Sequence, residues 1–239
     1  MVDLHSHILP GLDDGPEDAG ESLSMVLAEL NDGVQTIVLT PHFRTDIADP
    51  DSFLRHRRKA YELLCGDLPA LGVKLLTGAE AAFSPALLEM EIGLFCIEGT
   101  NNILIELPPD HYPPLTRKVF YELRTRGITP VIAHVERYPY FLRDPGQLAL
   151  LIRGGAYAQI NAGSLLCGGH TARTALHMLK SNLAHAVATD THSMKDRPPM
   201  LGRAMKLVSG KLGKDTAEYL EDNAERIVSG KALSVPDPG

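Results

Sequence analysis

The sequence predicts an α/β barrel in a single domain, and three features of the 239-residue chain support this fold class. Short β-branched runs alternate with amphipathic ones, which is typical of parallel strands joined by helical crossovers. Roughly seven such strand–helix units follow one another without a linker or a low-complexity tract, and this favours a closed or nearly closed barrel. Acidic and histidine side chains recur where the strands should end, at the edge that holds the active site of α/β barrels.

The first strand–helix unit shows the pattern. Val2–His7 is predicted to be a short strand. Pro16 can begin a helix at its first turn, and Gly33 is a suitable stop signal. Between them, apolar residues have the spacing i, i+3, i+4 and i+7, at Leu23, Val26, Leu27 and Leu30.

The remaining elements follow in the same alternation. Further strands are predicted over Val34–Thr40, Val73–Thr77, Asn102–Leu107, Thr129–His134, Ala156–Asn161 and His185–Asp190. Helices are predicted over Pro50–Leu68, Ser84–Glu91, Pro114–Arg126, Pro145–Gly154 and His170–Ser181, with terminal helices from about Pro198. We therefore expect one barrel domain over residues 1–233 and a flexible, proline-rich tail over residues 234–239.

Composition excludes several classes of protein. The net charge of −7 gives no basic footprint for nucleic acid. No apolar run is long enough to insert into a membrane, and Asp3 and His5 interrupt the N-terminus too early for a signal peptide. An odd number of distant cysteines without a C-x-x-C pair fits a reduced, cytoplasmic protein: Cys65, Cys96 and Cys167.

The histidines point to metal binding. His5 and His7 alternate on a strand, so both imidazoles can face one ion. Further histidines or acids stand near the ends of the other predicted strands. The full candidate set of ligands is His5, His7, Asp14, His42, Glu80, Glu106, His134, Asp190 and His192. A single strand-end histidine is usually structural, but unrelated structural roles would not concentrate so many donors on one edge. Asp14 also belongs to a good turn sequence.

This donor set predicts phosphate-ester chemistry. Imidazole and carboxylate without thiolate suit manganese, iron, zinc or magnesium, and nine ligands suffice for two or three divalent ions when carboxylates bridge. Ions about 3.5–4 Å apart can activate a water and clamp the oxygens of an in-line phosphoryl displacement. Arg137 and Arg197 each follow a ligand motif, and their guanidinium groups match phosphate bidentately.

Other interpretations remain open at this point. Cys167 to Thr174 satisfies the C-x5-R-[ST] spacing of cysteine-dependent tyrosine phosphatases, but that mechanism leaves the histidine motifs without a role. A small-molecule phosphatase of the histidinol-phosphate type would use the same chemistry. An amidohydrolase-like C–N hydrolase would normally have a carboxylated lysine or further histidines where Glu80 and Glu106 stand. A non-catalytic scaffold should have lost some of the ligands.

Several motifs together resemble one family. The opening Asp3–Gly15 is similar to that of the polymerase-and-histidinol-phosphatase (PHP) superfamily, and more narrowly to the bacterial PHP tyrosine-protein phosphatases of capsule and exopolysaccharide operons, the CpsB/CapC/YwqE group. Further matches are Thr40–His42, Gly78–Glu80, Ile103–Glu106, His134–Tyr138, Asn161–Leu165, Asp190–His192 and Arg197–Pro198. The chain departs from the family pattern at Val135, at Thr191 and in the loop Cys167–Gly169.

The resemblance implies a distorted (β/α)7 TIM-like barrel with a trinuclear site that is often supported by manganese. Carried over by motif, the first ion would be held by His5, His7, Glu80 and Asp190, the second by Glu80, Glu106 and His134, and the third by Asp14, His42 and His192. Arg137 and Arg197 would bind the substrate phosphate. The implied activity is metal-dependent hydrolysis of phosphotyrosine on the tail of a bacterial tyrosine autokinase that regulates capsular and exopolysaccharide synthesis.

Overall fold

Short parallel strands form the barrel wall in the computed structural model, which describes residues 1–66 and 72–238. They are β1 (Val2–Ser6), β2 (Thr36–Leu39), β3 (His42–Phe43), β4 (Lys74–Thr77), β5 (Glu80–Ala82), β6 (Asn102–Glu106), β7 (Thr129–Ile132), β8 (Tyr157–Asn161) and β9 (Ala186–Ala188). β3 resumes the direction of β2 after Thr40 and Pro41, and β5 resumes that of β4 after Gly78 and Ala79. The described strands therefore occupy seven positions around the wall.

The wall closes on itself. Its lower part has the order β1-β2-β4, and its upper part has the order β3-β5-β6-β7-β8-β9. A parallel bridge between Ser6 and Thr191 joins the last strand position to the first. The His7 amide donates to the Thr191 carbonyl at 2.9 Å, and the Asp190 amide donates to the His5 carbonyl at 2.9 Å. The predicted α/β barrel is confirmed.

Helices cover the outside of the wall. In the described residues they are α1 (Ala19–Asn31), α2 (Pro50–Gly66), α3 (Thr116–Thr125), α4 (Pro139–Arg143), α5 (Pro145–Arg153), α6 (Ala162–Leu166), α7 (Gly169–Lys180), α8 (Leu201–Leu212) and α9 (Lys214–Val228). Short 3-10 turns cover Pro85–Glu89, Ile92–Phe95 and Val135–Arg137. None of the helices in this part of the chain is long and apolar enough to cross a membrane.

Several predicted boundaries differ from the structure. α1 begins at Ala19 instead of Pro16, because the Asp18 side chain caps it by accepting from the Glu21 amide at 2.9 Å. The predicted helix Ser84–Glu91 is a 3-10 turn with Ser84 as its cap. The predicted end of α2 at Leu68 lies outside the described residues, as does Gly239 of the tail.

A bulge in β1 directs the first histidines into the barrel. Leu4 packs in the apolar cluster inside the wall with Leu104 and Val131. Strict alternation would then turn His5 outward, but the β1–β2 register shifts between Asp3 and Ser6. Such a bulge re-aims the following side chains. His5 therefore also lies inside the barrel, above the apolar cluster.

Buried polar groups below the site tie distant parts of the chain together. Asp3 Oδ1 accepts from the Thr189 amide at 2.9 Å, across 186 residues of sequence. His185 Nδ1 accepts from the Ala158 amide at 3.0 Å, and burial lowers the pKa of His185 to about 4. The described residues beyond α9, 229–238, form no helix or strand, and Arg153 Nε contacts Asp237 Oδ1 at 2.8 Å.

Candidate metal centre

The upper ends of the strands bring the nine predicted ligands into one cluster. Three sets of donor atoms each lie within 4.8 Å of one another: His5, His7 and Asp190; His42, Glu80 and Glu106; and His7, Asp14, His42 and His192. His134 joins them because its Nε2 lies 3.1 Å from Glu80 Oε1 and 3.7 Å from Glu106 Oε1. The sets share His7 and His42, so the cluster is continuous.

Glu80 is the centre of the cluster. Its carboxylate is 1% exposed, and its two oxygens lie 3.0–3.4 Å from four imidazoles, those of His5, His7, His42 and His134. Burial alone would raise the pKa of Glu80, but the charge of His5 and hydrogen bonds from the surrounding imidazoles lower it well below its usual range. The carboxylate is therefore anionic at neutral pH and available to bridge cations.

The outer nitrogens of three imidazoles are hydrogen bonded, which leaves the inner nitrogens facing the cluster. His7 Nδ1 lies 2.7 Å from Asp13 Oδ2, and His5 Nδ1 lies 3.2 Å from Gln159 Oε1. His192 Nδ1 lies 2.9 Å from the backbone carbonyl of Asp190. Because each Nδ1 faces an oxygen acceptor, it carries the proton of the neutral imidazole, and Nε2 then offers its lone pair to a metal ion.

The positions of the donor atoms indicate whether these residues are suited to divalent ions. His5 Nε2 and His7 Nε2 are 3.1 Å apart, so two lone pairs would face each other unless a cation or a proton lies between them. Glu80 Oε2 and His192 Nε2 are buried and lack a hydrogen bond of good geometry, although His42 Nδ1 lies 3.0 Å from the first and Asp14 Oδ1 lies 3.1 Å from the second. Imidazole nitrogens and carboxylate oxygens without thiolates are suited to manganese, iron or zinc. The donor set fits a cluster of divalent metal ions.

Asp13 supports the cluster and was missed by the sequence analysis. It accepts from His7 Nδ1 at 2.7 Å, from the His42 amide at 2.9 Å and from the Gly15 amide at 3.0 Å. Burial opposes the charge of both partners, yet their hydrogen bond raises the pKa of His7 to about 10 and lowers the pKa of Asp13 to about 2. The only signal in the sequence was an acid beside Asp14 in a turn.

Two cluster residues have unusual backbone conformations. His134 has a φ of 33° and Asp190 a φ of 52°, in the left-handed region that few residues other than glycine adopt. Neighbouring amides hold both in place: the His134 amide donates to Gln159 Oε1 at 2.9 Å, and Asn161 Nδ2 donates to Asp190 Oδ2 at 2.6 Å. Such conformations concentrate at functional sites, where the surrounding contacts maintain them.

The two predicted arginines stand at the edge of the cluster. Arg137 Nη1 and Arg197 Nη1 each lie 3.3 Å from Asp190 Oδ2, and Arg197 Nη2 lies 3.3 Å from Asp14 Oδ2. Their side chains are 51% and 40% exposed. One buried carboxylate thus holds both guanidinium groups while part of each remains open to solvent. Cys167 is exposed and lines a cavity of about 260 Å³ together with both arginines.

The chain is similar to several known proteins. Residues 1–229 match the family model of capsular polysaccharide synthesis, CpsB/CapC. The chain is 32% identical to the tyrosine-protein phosphatase YwqE of Bacillus subtilis, over 98% of its own length and 93% of the relative's. It is 34% identical to the putative tyrosine-protein phosphatase CapC of Staphylococcus aureus, covering 100% of this chain and 95% of that one.

The fold has a close match among solved structures. A crystal structure from work on YwqE from Bacillus subtilis and CpsB from Streptococcus pneumoniae, described as unique metal-dependent tyrosine phosphatases, superimposes with a TM-score of 0.90 and 30% identity. The match covers 100% of this chain and 98% of the other.

Proposed function

Since the chain belongs to the CpsB/CapC family of capsular polysaccharide synthesis, we propose that it is a metal-dependent protein-tyrosine phosphatase. The observation that carries this proposal is the convergence of nine imidazole and carboxylate groups beside two half-exposed arginines. Such a site combines positions for several divalent ions with guanidinium groups suited to phosphate.

The proposed ligand sets follow the motifs. His5, His7, Glu80 and Asp190 would hold the first ion, Glu80, Glu106 and His134 the second, and Asp14, His42 and His192 the third. The three sets of converging donor atoms support this division, although His42 also lies close to Glu80. Manganese is the metal we propose, with iron, zinc and magnesium as alternatives of the same donor preference.

The residues of the chain have separate tasks in this proposal. The bound ions supply an activated water and positive charge for the phosphoryl oxygens. Arg137 and Arg197 orient the phosphate, and Asp190 holds both guanidinium groups in place. Asp13 fixes the imidazole of His7 with its Nε2 lone pair directed inward. No residue of the chain becomes phosphorylated, because the proposed nucleophile comes from water.

The proposed substrate is phosphotyrosine on the tail of a bacterial tyrosine autokinase that regulates capsular and exopolysaccharide synthesis. The family's role in capsular polysaccharide synthesis supports a substrate of this kind. We also propose that the enzyme acts in the cytoplasm, and that residues 1–233 are the catalytic domain while residues 234–239 take no part in catalysis.

Hydrolysis of a phosphotyrosine peptide, histidinol phosphate and an amide substrate, with and without a chelator, tests the proposal. We expect hydrolysis of the peptide that chelation abolishes and added Mn²⁺ restores. His5→Ala and Asp190→Ala should lose activity, whereas Cys167→Ser should retain it. Activity that survives chelation but is lost in Cys167→Ser would overturn the metal mechanism, and a preference for histidinol phosphate would overturn the tyrosine assignment.

A further inference from the structure

Among the described residues, two cavities adjoin the metal centre, and they differ in the groups that line them. The cavity of about 260 Å³ beside Arg137 and Arg197 is lined by both guanidinium groups and by Asn161 and Ser164, together with Pro198 and Met200. The other cavity, of about 470 Å³, lies on the opposite side of the donor set, beside Glu106. We call it the Phe83 groove, and its lining includes the apolar Phe83, Pro85, Leu107 and Pro113 as well as the polar Arg44, Glu106 and His111.

Glu106 connects the Phe83 groove to the metal centre. Its Oε1 lies 3.7 Å from His134 Nε2, and it belongs to the donor set formed with His42 and Glu80. The Glu106 side chain is 35% exposed, and it forms part of the groove wall. One of the side chains proposed to hold the ions therefore forms part of the groove wall.

The walls of the groove are fixed from behind. The Phe83 amide donates to the Glu106 carbonyl at 2.7 Å, and the Phe83 ring lies 6.3 Å from the ring of Phe120. The Leu107 amide donates to the Tyr138 hydroxyl at 2.9 Å, and the Tyr140 hydroxyl donates to the Pro108 carbonyl at 2.9 Å. The apolar surface is thus formed before any ligand arrives, which lowers the entropic cost of binding.

Resting on the proposed function, we infer that the Phe83 groove binds the aromatic ring of the phosphotyrosyl substrate. A single ester oxygen joins the ring to phosphorus, so a phosphate at the metal centre places the ring in an adjoining cavity. The arginine side carries the two guanidinium groups proposed to bind phosphate, and the described residues that line its cavity include no aromatic ring. The groove beside Glu106 offers a phenyl ring and proline rings, and aromatic rings gain stability from such contacts.

The groove gives the enzyme a preference for aryl phosphates. A phosphoserine side chain is too short to fill it, so an alkyl ester would gain the phosphate contacts alone. Phe83 is then a specificity-determining residue, which contributes to binding of the ring and not to binding of the phosphate.

Inhibition by benzylphosphonate depends on binding of both the ring and the phosphonate, whereas inhibition by inorganic phosphate depends on the phosphate site alone. Comparing the two inhibitors therefore separates binding of the ring from binding of the phosphate. In Phe83→Ala we expect the inhibition constant of benzylphosphonate to rise about tenfold, together with KM for a phosphotyrosine peptide. The inhibition constant of inorganic phosphate and the bound metal content should stay unchanged. Phe83→Leu, which keeps more of the packing against Phe120, should show a smaller rise. Tyr121→Ala is the matched control, because Tyr121 is a 70% exposed ring on α3 outside the groove.

Three results would overturn the inference: an equal loss of benzylphosphonate and phosphate binding in both Phe83 variants, unchanged benzylphosphonate binding, or the same rise in Tyr121→Ala. Failure of the proposed function is a separate outcome, since wild-type protein would then not hydrolyse the phosphotyrosine peptide at all.

Discussion

Removal of Asp13 should weaken metal binding without removing any metal ligand. In Asp13→Ala the buried His7 Nδ1 loses an acceptor at 2.7 Å, and the His42 and Gly15 amides lose theirs. Loss of a carboxylate behind a ligating histidine typically reduces metal affinity about 10–100-fold, or about 1.4–2.7 kcal/mol. We expect the upper part of that range, because the bond is short and the Asp13 side chain is only 5% exposed.

The pH dependence provides a second signature of Asp13→Ala. Asp13 helps to raise the pKa of His7 to about 10 in the metal-free protein, so a proton competes with the ion below that pH. In the variant the pKa of His7 should be lower, so that protons compete less with the metal ion for this imidazole. The difference in affinity between wild type and variant should therefore widen as pH rises from 7 towards 9.

Competition of Mn²⁺ between the metal-free protein and a chelating dye measures both effects. Asp51→Ala, which removes an exposed acid in the first turn of α2, is the matched control. Equal Mn²⁺ affinity in wild type and Asp13→Ala, or an equal loss in Asp51→Ala, would refute the role of Asp13 in orienting His7.

Three further changes test the fold. His185 stays neutral in the folded protein because burial lowers its pKa to about 4, whereas in the unfolded chain it takes up a proton below about pH 6.5. The free energy of unfolding is therefore unaffected by His185 above pH 6.5 and decreases as pH falls from 6.5 towards 4. Between pH 8 and pH 5.5, the free energy of unfolding measured in urea should decrease by about 1.4 kcal/mol less in His185→Asn than in wild type. An equal decrease in both proteins would contradict this. Phe43→Ala should cost about 3–5 kcal/mol in the same assay, since the ring is 1% exposed in the aromatic core, and a loss below about 1 kcal/mol would show that the site collapses. Gly202→Ala should cost about 1–3 kcal/mol because the added Cβ would lie 2.3 Å from the Asp32 carbonyl, whereas Gly210→Ala in the same helix meets nothing within 4 Å and should not destabilise.

The positions of the cluster residues could be predicted because strand ends are visible in the sequence. The run Val34–Thr40 ends two residues before His42, and Val73–Thr77 ends three residues before Glu80. The sequence did not predict that a second short strand, β3 or β5, follows each of these runs after a break, since strands of two or three residues show no periodicity. The breaks nevertheless place His42 and Glu80 side by side, paired across the upper sheet.

The supporting residues were beyond sequence reasoning for a different reason. Asp13 and Asp14 are neighbours in one turn, and only the tertiary structure directs Asp13 to His7 and Asp14 towards His192. Gln159 and Asn161 act on other residues of the cluster through hydrogen bonds to the neighbouring strand positions. Amide side chains of this kind have no pattern of spacing that distinguishes them from other strand residues.

The metal ligands lie on both sides of the place where the barrel closes, so bound ions would link the first strand position to the last. His5 and His7 stand on one side of the Ser6–Thr191 bridge, and Asp190 and His192 on the other. Ions shared by the two sides would cross-link the first and last strand positions, much as a disulfide closes a long loop. Metal loss would then release the N-terminal strand first. Amide hydrogen exchange should show this opening in residues 2–6 before the rest of the wall.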